Sequence, residues 1–266
     1  MDALRRWTRG GLSPLPLLAV ALMTLGLAAC DDDDSPTNVG SQTLADVVDD
    51  ASNNLTTLRA ALETAGLKAA LDGEGPFTVF APSNEAFDAV GDDVLTALLQ
   101  PANADLLEKI LTYHVVSGVE ATSDQLSDGQ SVTTLQGEDL TVGVSGDGVT
   151  VNDIPVVAAD VEASNGVAHV IGGVLIPSVD IVEVAVLNGF STLVGLVREA
   201  ELEETLKGDN NGDGWTVFAP TEEAFAALSS VPEGDALADL LTYHVVSGTV
   251  GSGDLSDGQV VTTVEG

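Results

Sequence analysis

Apolar positions first recur at three- and four-residue steps. Leu44, Val47, Val48 and Ala51 form one such series and Leu55, Leu58 and Leu62 continue it, so two short amphipathic helices are predicted. The period then shortens. Thr78 to Phe80 alternates as a strand, and Pro82 and Ser83 followed by acidic residues mark a helix start, where a hydroxyl caps free amides and carboxylates meet the positive end of the helix dipole. A helix over 105–112 would bury Leu106, Leu107, Ile110 and Leu111 and carry Tyr113 and His114 at its end. Beyond it, Leu140, Val142 and Val144, then Val167, His169 and Ile171, alternate as short strands separated by "SGDG" and "SNG" turns.

The pattern is duplicated. Phe190, Leu193, Val197, Leu202 and Leu206 repeat Leu55, Leu58, Leu62, Leu67 and Leu71 at an offset of 135. "FTVFAPSNEAF" (Phe77 to Phe87) returns as "WTVFAPTEEAF" (Trp215 to Phe225), and "LTYHVVSG" occurs unchanged at Leu111 to Gly118 and Leu241 to Gly248. A first domain is therefore expected over 41–178, with "PSVD" (Pro177 to Asp180) as a short linker, and a second over 181–266. The shared "VTT" at Val132 and Val261 is followed by a long strand-rich stretch only in the first copy, so the second is expected to be incomplete and loosely folded.

The N-terminus has another character. Arg5, Arg6 and Arg9 precede an apolar run from Leu12 to Ala29, which finishes "LAAC" before four aspartates. This resembles a bacterial lipoprotein signal peptide over 1–29, with the small residues before Cys30 admitting a peptidase and Cys30 becoming the lipid-bearing N-terminus. A retained membrane helix is disfavoured by Pro14, Pro16 and the cysteine at the run's end. Residues 30–40, rich in aspartate, read as an acidic tether. The lipoprotein reading places the mature chain in the cell envelope, on the periplasmic or cell-surface side.

Composition narrows the function classes. Lys and Arg total 8 against 42 Asp and Glu, a formal charge of -34, and loss of the signal segment makes it more negative by two. Neutralisation of phosphates is out of reach, so nucleic acid is excluded as a partner. The 44% hydrophobic content still suffices for packed cores. Cys30 is the only cysteine, so the chain forms no internal disulfide and no thiolate metal cluster.

"TVFAP(S/T)xEAF" followed by "LLTYHVVSG" and closed by "NGVAHVIGGVLIP" is similar to the fasciclin domain, in two tandem copies. The resemblance implies an α+β fold, a wedge of β-strands packed with several helices. It implies adhesion or protein–protein interaction, with a cell-surface or matrix protein or glycan as partner, and no enzyme activity or cofactor. Binding of an envelope polysaccharide or small ligand is the alternative. The family's tyrosine–histidine segment, implicated in adhesion, carries onto Tyr113, His114, Val115 and Val116 and onto Tyr243, His244, Val245 and Val246. Gly172 and Gly173 stand where the family commonly has an acid after the isoleucine.

Read from the residues alone, each Tyr–His pair could be an acid/base pair, a metal ligand, a core hydrogen-bond node or a partner-binding edge. Catalysis lacks a "GxSxG" elbow or comparable nucleophile, and a zinc site lacks the three or four spaced ligands it needs. "DNNGDG" (Asp209 to Gly214) offers Asp209, Asn211 and Asp213 as a weak calcium candidate, but Pro220 stands where the bidentate glutamate belongs. Asn54 and Thr56 form a glycosylation sequon, uninformative in a bacterial lipoprotein.

Overall fold

The computed structural model describes residues 42–266 apart from Asp147 and Asp209. Cys30, the signal segment and the tether lie outside the described residues. The first helix, α1 (Leu44–Asp49), opens on a capping box: the Thr43 hydroxyl accepts from the Asp46 amide and the Asp46 carboxylate accepts from the Thr43 amide. After it come α2 (Thr56–Thr64), α3 (Lys68–Leu71), β1 (Phe77–Pro82), α4 (Asn84–Val90), α5 (Asp92–Leu98) and α6 (Ala104–Tyr113). Ser83 caps α4 by accepting from the Ala86 amide at 3.2 Å, and a single 3-10 turn, Pro101–Asn103, joins α5 to α6.

Strands follow in a run: β2 (Val115–Ser117), β3 (Gln130–Thr133), β4 (Asp139–Ser145), β5 (Gly148–Val151), β6 (Ile154–Ala163) and β7 (Gly166–Ile171). They build one seven-stranded sheet in the order β2-β1-β7-β6-β5-β4-β3, in which only the β1–β7 pair is parallel. The last strand of the copy thus lies beside its first. Helices α1 and α2 cover one face of this central pair, with Leu44, Val48, Leu58 and Leu62 packed on Val79, Ala81, Ala168 and Val170. On the other face, Phe80 and Ile171 pack with Leu140, Val151 and Leu175. Both faces of β1 and β7 are therefore interior, as the central strands of a covered sheet must be.

The duplicated half contributes α7 (Ile181–Leu187), α8 (Ser191–Glu199), α9 (Glu203–Lys207), β8 (Trp215–Val217), α10 (Glu222–Ala226), α11 (Asp235–Thr242) and β9 (Val245–Ser247). Strands β8 and β9 pair antiparallel, with Trp215 opposite Ser247, as β1 and β2 pair with Phe77 opposite Ser117. The two copies share a core. Val94, Leu98, Leu106 and Ile110 of the first join Val182, Val186, Leu193, Val197 and Leu241 of the second in one apolar cluster. Helix α6 thus serves two cores, because Leu107 and Leu111 face the sheet of its own copy. Lys109 spans the same boundary, 2.9 Å from the Glu183 carboxylate, with both side chains largely covered. The fold is α+β, and no described helix is long and apolar enough to cross a membrane.

Candidate functional site

The repeated octapeptide forms the last turn of a helix, its cap and the strand that follows. Its histidine answers a requirement of that turn, since the final carbonyls of a helix have no amide partners within it. The Nδ1 of His114 lies 2.7 Å from the Ile110 carbonyl, four residues back, and so carries the proton and donates. Its Nε2 then accepts from the Leu175 amide at 2.9 Å. Neutral imidazole is the side chain that donates at one end of a short rigid ring and accepts at the other. The ring is 2% exposed, and burial pushes its pKa down from 6.5 to about 4, against the opposing pull of the Ile110 bond.

Tyr113 is interior as well. Its hydroxyl donates to the Asp139 carbonyl at 3.2 Å and accepts from the Asn152 side chain at 3.0 Å, which ties the helix end to the β4 and β5 hairpin. Val115 and Val116 are buried on either face of β2. All four residues of the first segment are thus structural members of the core, with no surface open to a partner in this arrangement. The closing glycine of the octapeptide has a backbone reason: Gly118 and Gly248 take φ of 80° and 97°, a region glycine enters without strain, and their amides donate back to Pro76 and Gly214.

The second segment is set differently. His244 keeps the helix-end bond, Nδ1 to the Leu240 carbonyl at 2.8 Å, while its Nε2 has no partner among the described residues. Tyr243 is 61% exposed, against 4% for Tyr113, and stands edge-on to His244 with ring centres 6.1 Å apart. Phe218, the counterpart of Phe80, is also exposed. Val245 and Val246 are buried. The Tyr243 ring, the Phe218 ring and the outer edge of His244 are the accessible parts of the motif.

His169, the third histidine, is fully enclosed and stacks on Phe80 at 5.6 Å, directly across the parallel β1–β7 pair. Its Nε2 donates to the Ala121 carbonyl at 2.8 Å and its Nδ1 accepts from the Asp160 amide at 3.3 Å. Asp160 in turn receives the Ser123 amide and hydroxyl, which hold its carboxyl below the usual range in spite of partial burial. Serine, aspartate and histidine meet here in the wrong order for nucleophilic catalysis, since the aspartate separates the hydroxyl from the ring. The group pins the loop after β2 to β6.

Of the calcium candidates, Asp209 and the side chain of Asn211 lie outside the described residues, and Asp213 is exposed. Among the described residues no group of three or more His, Cys, Asp or Glu side chains is placed to hold a metal ion. Asn54 is engaged by its side chain, donating to Glu85 and accepting from Asn84.

Three residues that organise the site are not among those the sequence singles out. Thr78 accepts from the Ala121 amide and donates to the Val119 carbonyl, both at 2.9 Å, and Thr216 repeats the arrangement with Val250 and Gly248. The identical threonine in both "TVFAP" blocks was the available signal. Asn165 accepts from the Leu44 amide and donates to the Leu71 and Gly73 carbonyls, joining three segments at one amide.

Comparison with known proteins agrees with the repeat. The family model described as "Fasciclin domain" matches residues 53–177 and 188–266. Protein sll1483 of Synechocystis sp. is 50% identical over 133 residues, which cover 49% of this chain and 73% of that protein. Transforming growth factor-beta-induced protein ig-h3 of Sus scrofa is 35% identical over 214 residues, 79% of this chain. Periostin of Homo sapiens is 32% identical over 220 residues, 82% of this chain. The matched stretch spans only 30% and 26% of the latter two proteins. A solved FAS1 domain pair from the insect cell adhesion molecule Fasciclin I superposes with a TM-score of 0.40 at 18% identity, covering 80% of this chain and 82% of that one.

Proposed function

Because the chain belongs to the fasciclin family, we propose that it is an extracytoplasmic binding module that works by adhesion or protein–protein contact and is held to a membrane by lipid on Cys30. The family match and the resemblance to transforming growth factor-beta-induced protein ig-h3 and to periostin support a role in adhesion. The observation that carries the reading is the state of the histidines. His114 and His169 have both ring nitrogens committed to backbone partners inside the fold, which leaves neither to exchange protons with a substrate. On this reading the chain acts through its surface.

The partner-facing part of the tyrosine–histidine motif is assigned to Tyr243 and His244. An exposed aromatic with a polar tip is the kind of anchor that interfaces concentrate. Tyr113, His114, Val115 and Val116 would support binding by keeping the first copy rigid, and Val245 and Val246 by backing Tyr243. The partner is a cell-surface or matrix protein or glycan.

Beads carrying the lipid-free chain 31–266 test this. They should adhere to cell surfaces or to one another, and Tyr243→Ala should reduce adhesion severalfold without changing the melting temperature. Adhesion that survives Tyr243→Ala together with Phe218→Ser would remove the motif from the interface, and a hydrolytic or redox activity lost in His114→Gln would remove the non-enzymatic reading.

A further inference from the structure

A cleft of about 590 Å³ opens between the two copies. Small-molecule sites usually measure roughly 300 to 1,000 Å³. One wall is α5 with the 3-10 turn after it, and the other is α8 with the start of α10.

Helix α8 is the internal duplicate of α2, so the chain itself records what changes where this helix face borders the cleft. Arg59, Ala60 and Glu63 of α2 correspond to Val194, Gly195 and Arg198 of α8. On α2, Arg59 and Glu63 pair at 3.2 Å on an open surface. On α8 the same positions hold a buried valine, a glycine and an arginine that crosses to the first copy, where it donates to Asn103 Oδ1 at 2.7 Å. Its Nε pairs with Glu203 at 3.3 Å.

Gly195 is the position without an internal explanation. It lies inside a helix, where glycine costs about 1 kcal/mol relative to alanine. Its φ is not in the left-handed region, and a Cβ built on it would meet no atom within 4 Å. Neither backbone conformation nor close packing calls for glycine here. What the missing side chain does is widen the cleft.

The polar groups around that space are of both kinds. Arg198 and Gln100 bring donors to its lining, while Glu222 and Asp93 bring acceptors. Glu222 is held ionised by hydrogen bonds from Thr192 and Ser191, which lower its pKa. Between these groups the wall is aliphatic, from Ala97, Val186 and Val194. One guanidinium against two carboxylates disfavours an anion. Ionised oxygens accept strongly from hydroxyls, and the aliphatic strip suits C–H surface. We propose that this cleft binds a neutral polyhydroxylated ligand, one pyranose-sized sugar unit, with Glu222, Asp93 and Arg198 as its hydrogen-bonding partners. This site is separate from the Tyr243 edge, and either can fail alone.

Saturation-transfer NMR on the full chain, with D-glucose, cellobiose and D-glucuronate as probes, tests the assignment against Gly195→Ala and Gly195→Leu. The leucine Cβ would enter the cleft from a position where it meets no protein atom within 4 Å, and leucine favours helix over glycine, so the melting temperature should match or exceed that of the parent. The parent should show transfer to both neutral sugars, with affinity reduced at least tenfold in Gly195→Leu and less in Gly195→Ala, and weaker transfer to glucuronate. Equal transfer in the parent and Gly195→Leu would place any sugar elsewhere and overturn the site. Silence from both neutral sugars would overturn the ligand class, and preference for glucuronate would overturn the charge argument.

Discussion

Acidification from pH 7 to 4.5 should loosen the first copy through one residue, His114. The folded ring titrates at about 4, the unfolded one near 6.5. Between these values the unfolded state binds a proton that the folded state refuses, so stability falls as pH falls, by at most about 1.4 kcal/mol per unit. The loss reaches about 2 kcal/mol at pH 5 and levels off near 3 kcal/mol at and below the folded value. Carboxylates held below their ordinary range, such as Glu138 by the Ser178 amide and Asp139 by Thr133 and Ser131, act in the same proton sense, since the unfolded state again binds first, but only at lower pH, through values under 4.5 and 3.8. The upper window therefore belongs to the histidine. Urea unfolding of the full chain followed by far-UV circular dichroism should show the midpoint dropping by on the order of 1 M between pH 7 and 5. His114→Gln should start lower at pH 7, having lost at least one of the two ring bonds, and then stay flat across the window. The acidic surface titrates identically in both proteins, so their difference isolates the ring. A parent midpoint unchanged between pH 7 and 5, or an equal fall in His114→Gln, would refute the reasoning.

Three further outcomes follow from particular contacts. Asn165→Ala leaves the Leu44 amide and the Leu71 and Gly73 carbonyls without their shared partner and should cost about 2 to 3 kcal/mol, read as a lowered urea midpoint with unchanged slope; an unaltered midpoint would show that water replaces the amide freely. Cys30→Ser should abolish incorporation of labelled fatty acid and release the protein from membranes, whereas an unlabelled parent would end the lipoprotein proposal. Limited proteolysis should cut first in the exposed segment after Ser247 and spare α7 and α8, which are packed on α5 and α6; early cutting at 181–200 would show instead that the shared cluster does not hold the second copy.

Local pattern carried much of this architecture. The series from Leu44 and from Leu55 became α1 and α2, Ser83 became a cap, and the Tyr–His pair fell at a helix end. Two features needed the third dimension. Alternation marks β1 and β7 as strands but does not show that both of their faces are interior, helices covering one side and the β4–β5 hairpin side chains the other. The adjacent pairs Leu106–Leu107 and Ile110–Leu111 looked like one wide apolar stripe, and only the packed structure divides it between two cores. That division bears on the expectation of a loosely folded second half, since α5 and α6 supply its helices with apolar partners that no local window displays. Helix α5 carries little local signal, being two short turns after Gly91, and β6 has no clean period because its register shifts twice, around Ala158. Within the motif, periodicity placed His114 on the helix but could not name Leu175 as its second partner.

The parallel pairing of β1 with β7 imposes an order of events on the chain. Phe77 meets Gly166 and His114 meets the Leu175 amide 61 positions onward, so a polypeptide growing from its N-terminus presents α6 and β1 long before their partners exist. Closure over such separations carries a large loop entropy before any contact repays it, which favours slow, late and all-or-none consolidation. Until Leu175 has emerged, the histidine remains wet and able to take up a proton, and the first strand remains open along one edge. The first copy therefore cannot complete its core until residues 166–175 have been made.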